Sequence, residues 1–257
     1  MDYITTISNA LTAARNTRTP ITEFPGELPK TIDDAYAIQA VCAKNTGKAI
    51  VGWKVAGMPP NMPGTWNVAK LVGPAFEGTI HKCKSGDTVE MPIYAGGFAA
   101  VEPEYVAILG DIPDRDVTLD DMDEVVASLH IGMELAASTL IHANKIGPAA
   151  IISAMGLNGG VIVGPEIPKD TDLTKVEVSC TIDGVLAGKK PTGAGMAGPY
   201  GAVVFAINHL RAQGITIPAG TVISTGAVTG VHSADDGSHS HIVYEGLGDF
   251  FVKLKAH

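Results

Sequence analysis

Three glutamates stand where a soluble chain seldom places a carboxylate. Glu102 and Glu104 are one residue apart in Val101-Glu-Pro-Glu-Tyr105, inside a segment that otherwise reads as a buried strand. Glu134 sits in the next such segment, Ile131-Gly-Met-Glu-Leu135. Residues i and i+2 of a strand share a face, so Glu102 and Glu104 point the same way. Buried carboxylates repel one another and are costly to desolvate unless positive charge holds them. Oxygen-only ligands suit a hard cation, Mg²⁺ or Mn²⁺, which prefers octahedral geometry and would keep positions for water and substrate. A 2-oxo acid could chelate such an ion through its carboxylate and keto oxygens, with the ion acting as a Lewis acid toward an enolate. A solvent-facing acidic pair would also alternate with Val101, Tyr105 and Ala107. Glu134, flanked by Met133 and Leu135, weighs against that reading.

Lys54 is the next informative residue, in the apolar run Val51-Gly-Trp-Lys-Val-Ala-Gly57. Near a metal, a lysine is expected to have a depressed pKa and to hold or shuttle a proton. The commoner alternative is a lysine snorkelling to solvent at a strand end. Other motifs are weaker. Residues 111–124 carry seven acids against the single base Arg115, which reads as a solvated loop and helix start rather than a calcium loop. His239 and His241 share a strand face, but a turn followed by a strand explains them better than a metal. Gly193-Ala-Gly-Met-Ala-Gly198 lacks the Lys-Ser/Thr ending of a phosphate loop, and no Gly-x-Ser-x-Gly elbow is present.

The elements that must position these residues are mostly short strands. Ile4, Ile7 and Leu11 predict a helix over residues 3–15. Thr31 predicts an N-cap, with Asp33 and Asp34 in the first turn of a second helix carrying Ala35, Ile38 and Val41. Residues 1–48 therefore form an N-terminal helical region packed on a β-rich catalytic domain of residues 49–257. Strands are expected over 49–55, near Thr79, and over 88–91, 98–109, 130–140, 176–182, 185–187, 221–225, 241–244 and 250–254. The pair Asp183-Gly184 marks a hairpin. Helices are expected over Leu119–Ser128 and Gly201–Gln213, and a Pro/Gly loop over 58–64. Pro103 removes a backbone donor and suits a sheet edge or mouth.

Bulk properties narrow the function. The chain has 257 residues, 46% hydrophobic and 18% charged, with 30 Gly and 16 Pro, which favours many short strands and turns. A net charge of −9 argues against electrostatically driven nucleic-acid binding. The three cysteines show no metal or disulfide spacing. The apolar stretch 149–164 is interrupted by Gly156, Asn158, Gly159 and Gly160 and is short for a membrane span of about 18 or more apolar residues. The first residues lack the basic start and apolar core of a signal peptide, so a cytoplasmic enzyme is expected, with no membrane partner.

In this order, the helix Thr31-Ile-Asp-Asp-Ala-Tyr-Ala-Ile-Gln39, the strand Val51-Gly-Trp-Lys54, Val101-Glu-Pro-Glu-Tyr-Val-Ala-Ile-Leu109, Gly132-Met-Glu-Leu135, Ser224-Thr-Gly-Ala227 and Tyr244-Glu-Gly-Leu-Gly248 resemble the fumarylacetoacetate hydrolase superfamily. The branch resembled is that of the 2-oxopent-4-enoate hydratases and 4-oxalocrotonate decarboxylases of aromatic catabolism. The resemblance implies an α+β fold, a mixed β-roll of the fumarylacetoacetate hydrolase C-terminal-domain type with an N-terminal helical region, assembled as a homo-oligomer. It implies Glu102, Glu104 and Glu134 as ligands to Mg²⁺ or Mn²⁺, Lys54 as the active-site lysine, and Thr225 and Gly226 as substrate contacts. Three departures stand out. Ala137, Ser138 and Thr139 replace an Asp-Ser-Arg sequence, Ala154 and Met155 replace an Asp-Asn pair, and an acidic position is lost near Leu71.

Together these imply a metal-dependent lyase acting on a small unsaturated 2-oxo acid. A 2-oxopent-4-enoate-type hydratase is slightly ahead of a 4-oxalocrotonate-type decarboxylase. An acylpyruvate hydrolase is disfavoured, because such relatives carry a His-Glu pair on an N-terminal lid helix and no histidine precedes His81 here. A metal-binding homologue without turnover is the non-enzymatic alternative.

Overall fold

The structure, a computed structural model, describes residues 2–58, 69–193 and 198–257. Most of the expected Pro/Gly loop at 58–64 and of the glycine-rich run 193–198 lies outside them.

Two helices open the chain. Helix α1 (Tyr3–Thr17) starts where the Asp2 carboxylate accepts from Thr5 N, and ends at Arg18 in the left-handed region. In α2 (Ile32–Asn45), the Thr31 hydroxyl accepts from Asp34 N at 3.1 Å, and Asp33 and Asp34 face the positive end of the helix dipole. Ile7, Leu11, Ile38 and Cys42 lie in the same continuous core as the strands that follow.

Thirteen strands among the described residues form two sheets. The larger runs β2 (Lys70–Phe76), β1 (Ile50–Gly57), β10 (Val222–Ser224), β5 (Phe98–Leu109), β6 (Val126–Ser138), β7 (Asn158–Glu166) and β3 (Ile80–Lys82), with β11 (His232–Ser233) pairing beside β5. The smaller runs β4 (Thr88–Ile93), β13 (Gly248–Ala256), β12 (His239–Tyr244), β8 (Glu177–Ile182) and β9 (Val185–Pro191). Both mix parallel and antiparallel pairs. The sheets meet through Tyr105 of β5 and Tyr244 of β12, whose rings stand edge to face with centroids 5.3 Å apart. Strands β5 and β6 are buried on both faces, which is why they read as near-continuous apolar runs. The β8–β9 hairpin turns at Asp183-Gly184, both with positive φ (51° and 80°), as its sequence predicts.

The remaining helices are α3 (Met122–Val125), α4 (Ala143–Ile146), α5 (Pro148–Ser153) and α6 (Gly198–Ala212). No helix is long and apolar enough to cross a membrane among the described residues.

Three expectations need correction. The helix over Leu119–Ser128 is only a 3₁₀ turn and the single turn α3; from Val126 the chain is already strand β6, paired Leu109↔Val126 and Ile108↔Ser128. Long-range ladder bonds override the local pattern there. Strand β2, over residues for which no strand is expected, contains Gly73-Pro74. It is an edge strand of the larger sheet, where a missing N–H is tolerated. Pro103, by contrast, lies in a central strand. Its surroundings are nevertheless a mouth. On that side β10 ends at Ser224 and β11 begins only at His232, and the loop between them reaches Pro103 through Val228 N.

Candidate metal centre

Register brings the three glutamates together. Glu102 of β5 lies directly opposite Glu134 of β6, and Glu104 is two residues along the same face. One carboxylate oxygen from each lies within 4.8 Å of the other two. Lys54 joins them across two ladders, because Lys54 pairs with Ser224 and Ser224 with Val106, two residues from Glu104. All four side chains are 6% exposed or less, so the solvent-facing reading of the glutamates and the snorkelling reading of Lys54 both fail.

The hydrogen bonds leave a specific gap. Lys54 Nζ donates to Glu134 Oε2 at 2.9 Å, and Asn158 Nδ2 donates to Glu134 Oε1 at 3.1 Å. Ser224 Oγ donates to Glu104 Oε2 at 2.5 Å, and Gly226 N donates to the same oxygen at 2.8 Å. Gly226 reaches it with φ of 101°, a conformation that disfavours other residues, and an added Cβ would lie 3.3 Å from Val55 O. Glu104 Oε1 is fully buried and has no hydrogen-bond partner among the described residues. A buried carboxylate oxygen without a donor is costly. Three carboxylates against one ammonium also leave a formal excess of two negative charges, which one divalent cation would neutralise. Donor chemistry, orphaned oxygen and charge therefore fit a hard divalent cation.

Electrostatics carry the same strain. Burial pushes the Glu102 carboxyl up to about 7, Lys54 opposing and Glu134 adding to the rise. Glu104 is raised well above the carboxylate range by burial and by Glu134 and Glu102. The depressed pKa expected for Lys54 is tied to a bound cation; without one the balance at the ammonium is set by burial and the three carboxylates. Burial pulls it down, but Glu134, Glu102 and Glu104 outweigh that and hold the ammonium above its ordinary value.

From beneath, the Tyr244 hydroxyl shares its one proton between Glu104 O at 2.6 Å and Gly132 O at 2.8 Å, fixing β5 and β6 at the site from the second sheet. Gly156, at φ 66°, packs where a Cβ would lie 2.8 Å from Gly73 Cα and 3.3 Å from Lys54 Cε, so only glycine lets this turn close over the lysine.

A cavity of about 300 Å³ opens beside Lys54 and Glu102. Its walls include Leu71, Phe98, Ala136, Ile151 and Leu157, and Asn144 is the one other polar side chain lining it among the described residues. Thr225 and Gly226 line a second cavity of about 280 Å³, which shares Gly57 and Ala227 with the first. The Thr225 hydroxyl donates to Tyr105 O at 2.8 Å.

Sequence reasoning missed Asn158 and gave Ser224 no role. Asn158 was a visible signal, an amide within a long apolar stretch, but it read as an interruption. His239 and His241 lie in strand β12 after a turn, as their sequence suggests, and His241 bonds Asp249 at 2.8 Å and stacks on Phe251.

Comparisons with known proteins agree with this architecture. No curated protein sequence matches the chain. Among solved structures, 4-oxalocrotonate decarboxylase from Pseudomonas putida G7, complexed with magnesium and adipate, superposes with a TM-score of 0.81 at 19% identity over 98% of this chain and 97% of that one. Fumarylpyruvate hydrolase from Pseudomonas aeruginosa, in complex with Mn²⁺ and pyruvate, gives 0.60 at 16% identity over 80% and 89%. The 2-hydroxyhepta-2,4-diene-1,7-dioate isomerase from Mycobacterium marinum gives 0.57 at 21% identity over 81% and 77%. These likenesses bear out the mixed β-roll with an N-terminal helical region. Residues 77–254 match the model of the fumarylacetoacetate (FAA) hydrolase C-terminal family, and with most of its length so matched the chain belongs to that family.

Proposed function

We propose that this protein is a divalent-cation-dependent lyase that decarboxylates a small unsaturated 2-oxo acid. The observation that carries the reading is the junction of a buried three-carboxylate cluster and a buried lysine with an apolar cavity. Glu102, Glu104 and Glu134 hold the ion, Mg²⁺ or Mn²⁺. When bound, the cation supplies Lewis-acid stabilisation to the 2-oxo acid end of the substrate. Lys54, kept as an ammonium by Glu134, carries the proton that returns to the product. Asn158 and Ser224 orient Glu134 and Glu104, and Tyr244 fixes the strands that bear them. Thr225 and Gly226 position the substrate at the gap between β10 and β11.

The apolar walls favour decarboxylation over hydration. A distal carboxylate in apolar surroundings is destabilised relative to neutral CO₂. Hydration instead requires a polar group to place water at the distal carbon, and beyond Lys54 and Glu102 the described lining offers only Asn144. Leu71 stands in that wall, near the position where the family resemblance leads one to expect an acid. The near end-to-end likeness to a 4-oxalocrotonate decarboxylase supports the same choice.

The test pairs two substrates with the pure protein and Mg²⁺. CO₂ release from 4-oxalocrotonate, lost on Glu102→Ala, is the expected result. Hydration of 2-hydroxypenta-2,4-dienoate without CO₂ release from 4-oxalocrotonate would replace decarboxylase by hydratase. Turnover of neither compound would remove both lyase readings and leave an acylpyruvate hydrolase or a metal-binding homologue without turnover.

A further inference from the structure

A separate cavity of about 290 Å³ lies where α1 and α2 end, near β2, β4 and β7. Its lining includes Arg15, Arg18 and Lys48 and, among the described residues, no aspartate or glutamate. In a chain of net charge −9, three cationic side chains round one hollow that has no acidic side chain among its described lining, and that is also lined by the last residue, His257, are against the background. Among the described residues none of the three makes an ion pair with a carboxylate.

Arg15 is already held for recognition. Its Nη2 donates to Asn158 O at 3.1 Å, and its guanidinium lies 6.0 Å from the Phe76 ring centroid and 5.8 Å from that of Tyr94. A guanidinium fixed in this way keeps further donors in a planar fork and loses little freedom on binding an oxyanion. Part of the positive charge answers to the carbonyl ends of the two helices. Several of those carbonyls are already taken by backbone donors: Thr19 N bonds Ala14 O, Arg18 N bonds Arg15 O, and Thr46 N bonds Cys42 O and Ala43 O. The cations are left free to bind something else.

We propose that this cavity binds a small oxyanion, a carboxylate or a phosphate, held by the Arg15 fork with Arg18 and Lys48 completing its charge neutralisation. The inference is independent of the proposed lyase activity. It is tested by titrating EDTA-treated full-length protein with inorganic phosphate and, separately, with succinate, by calorimetry at constant ionic strength. Without a cation at the glutamates, a carboxylate cannot bind there by chelation, so the readout belongs to this cavity. Saturable one-site binding in the low-millimolar range or tighter is expected for at least one anion, and which one binds assigns the ligand as phosphate or carboxylate. The double variant Arg18→Ala/Lys48→Ala, both exposed positions, should fold unchanged and bind at least about tenfold more weakly. Absence of saturable binding by both anions, or equal affinity in the double variant, would overturn the proposal.

Discussion

Two acidic regions of this molecule behave in opposite ways. Residues 111–124 carry seven acids, nearly all exposed; Asp121, half-buried, is held well below the usual carboxylate range by the Arg115 guanidinium beside it. The β5–β6 centre carries three, all buried, two of them pushed up. More charge produces less strain when water screens it. A metal centre is therefore marked by acids that burial and register make unaffordable to one another, and the number of acids in a stretch says little.

The largest effect should come from unbalancing the buried cluster. Lys54→Met leaves the Glu134 carboxylate buried without its cationic partner, and the metal-free protein should lose roughly 3–5 kcal/mol of unfolding free energy in urea melts. Saturating Mg²⁺ should restore part of that loss, since a ligand that binds only the folded state stabilises it.

Next is the pH dependence of the metal-free protein. Folding raises Glu102 from 4.5 to about 7, so the folded state binds that proton more tightly than the unfolded chain does. The resulting stability is full below 4.5 and is lost as pH rises to about 7, a change of about 3 kcal/mol. Thermal melts in EDTA should show this decline, and Glu102→Gln should flatten it. Mn²⁺ affinity should run the other way and rise over the same window, because the ion needs deprotonated ligands.

Tyr244→Phe should cost about 0.5–1.5 kcal/mol through the shared hydrogen bond it removes, and weaken Mn²⁺ binding by roughly tenfold as Glu104 loses its support. At the exposed end of the comparison, Asp121→Asn should leave Mn²⁺ affinity unchanged and move the melting midpoint by about 1 °C or less at physiological salt. A large loss of metal affinity there would blur the distinction between the two acidic regions.

Much of this contrast could be read in the chain before its fold. The apolar run Phe98–Leu109 matches β5 end to end, Thr31 caps α2, and Asp183-Gly184 turns its hairpin. The three glutamates and Lys54 were legible because each is a charge in an apolar segment. What local sequence could not supply is register. That Glu102 faces Glu134, and that Lys54 reaches them through Ser224, depends on pairings between distant strands. Asn158 and Arg15 were hidden for the same reason: Asn158 meets Glu134 across the β6–β7 ladder, and Arg15 comes from a helix far back in the chain. Leu119–Ser128 failed in the opposite sense, a locally plausible helix captured by its pairing with β5.

Calorimetric titration of Mn²⁺ into wild-type protein and Glu104→Ala at pH 8 tests the central claim most directly. One ion per chain should bind the wild type, and the variant should bind about a hundredfold more weakly or not at all. Equal affinity in the two proteins would show that the ion does not sit among Glu102, Glu104 and Glu134.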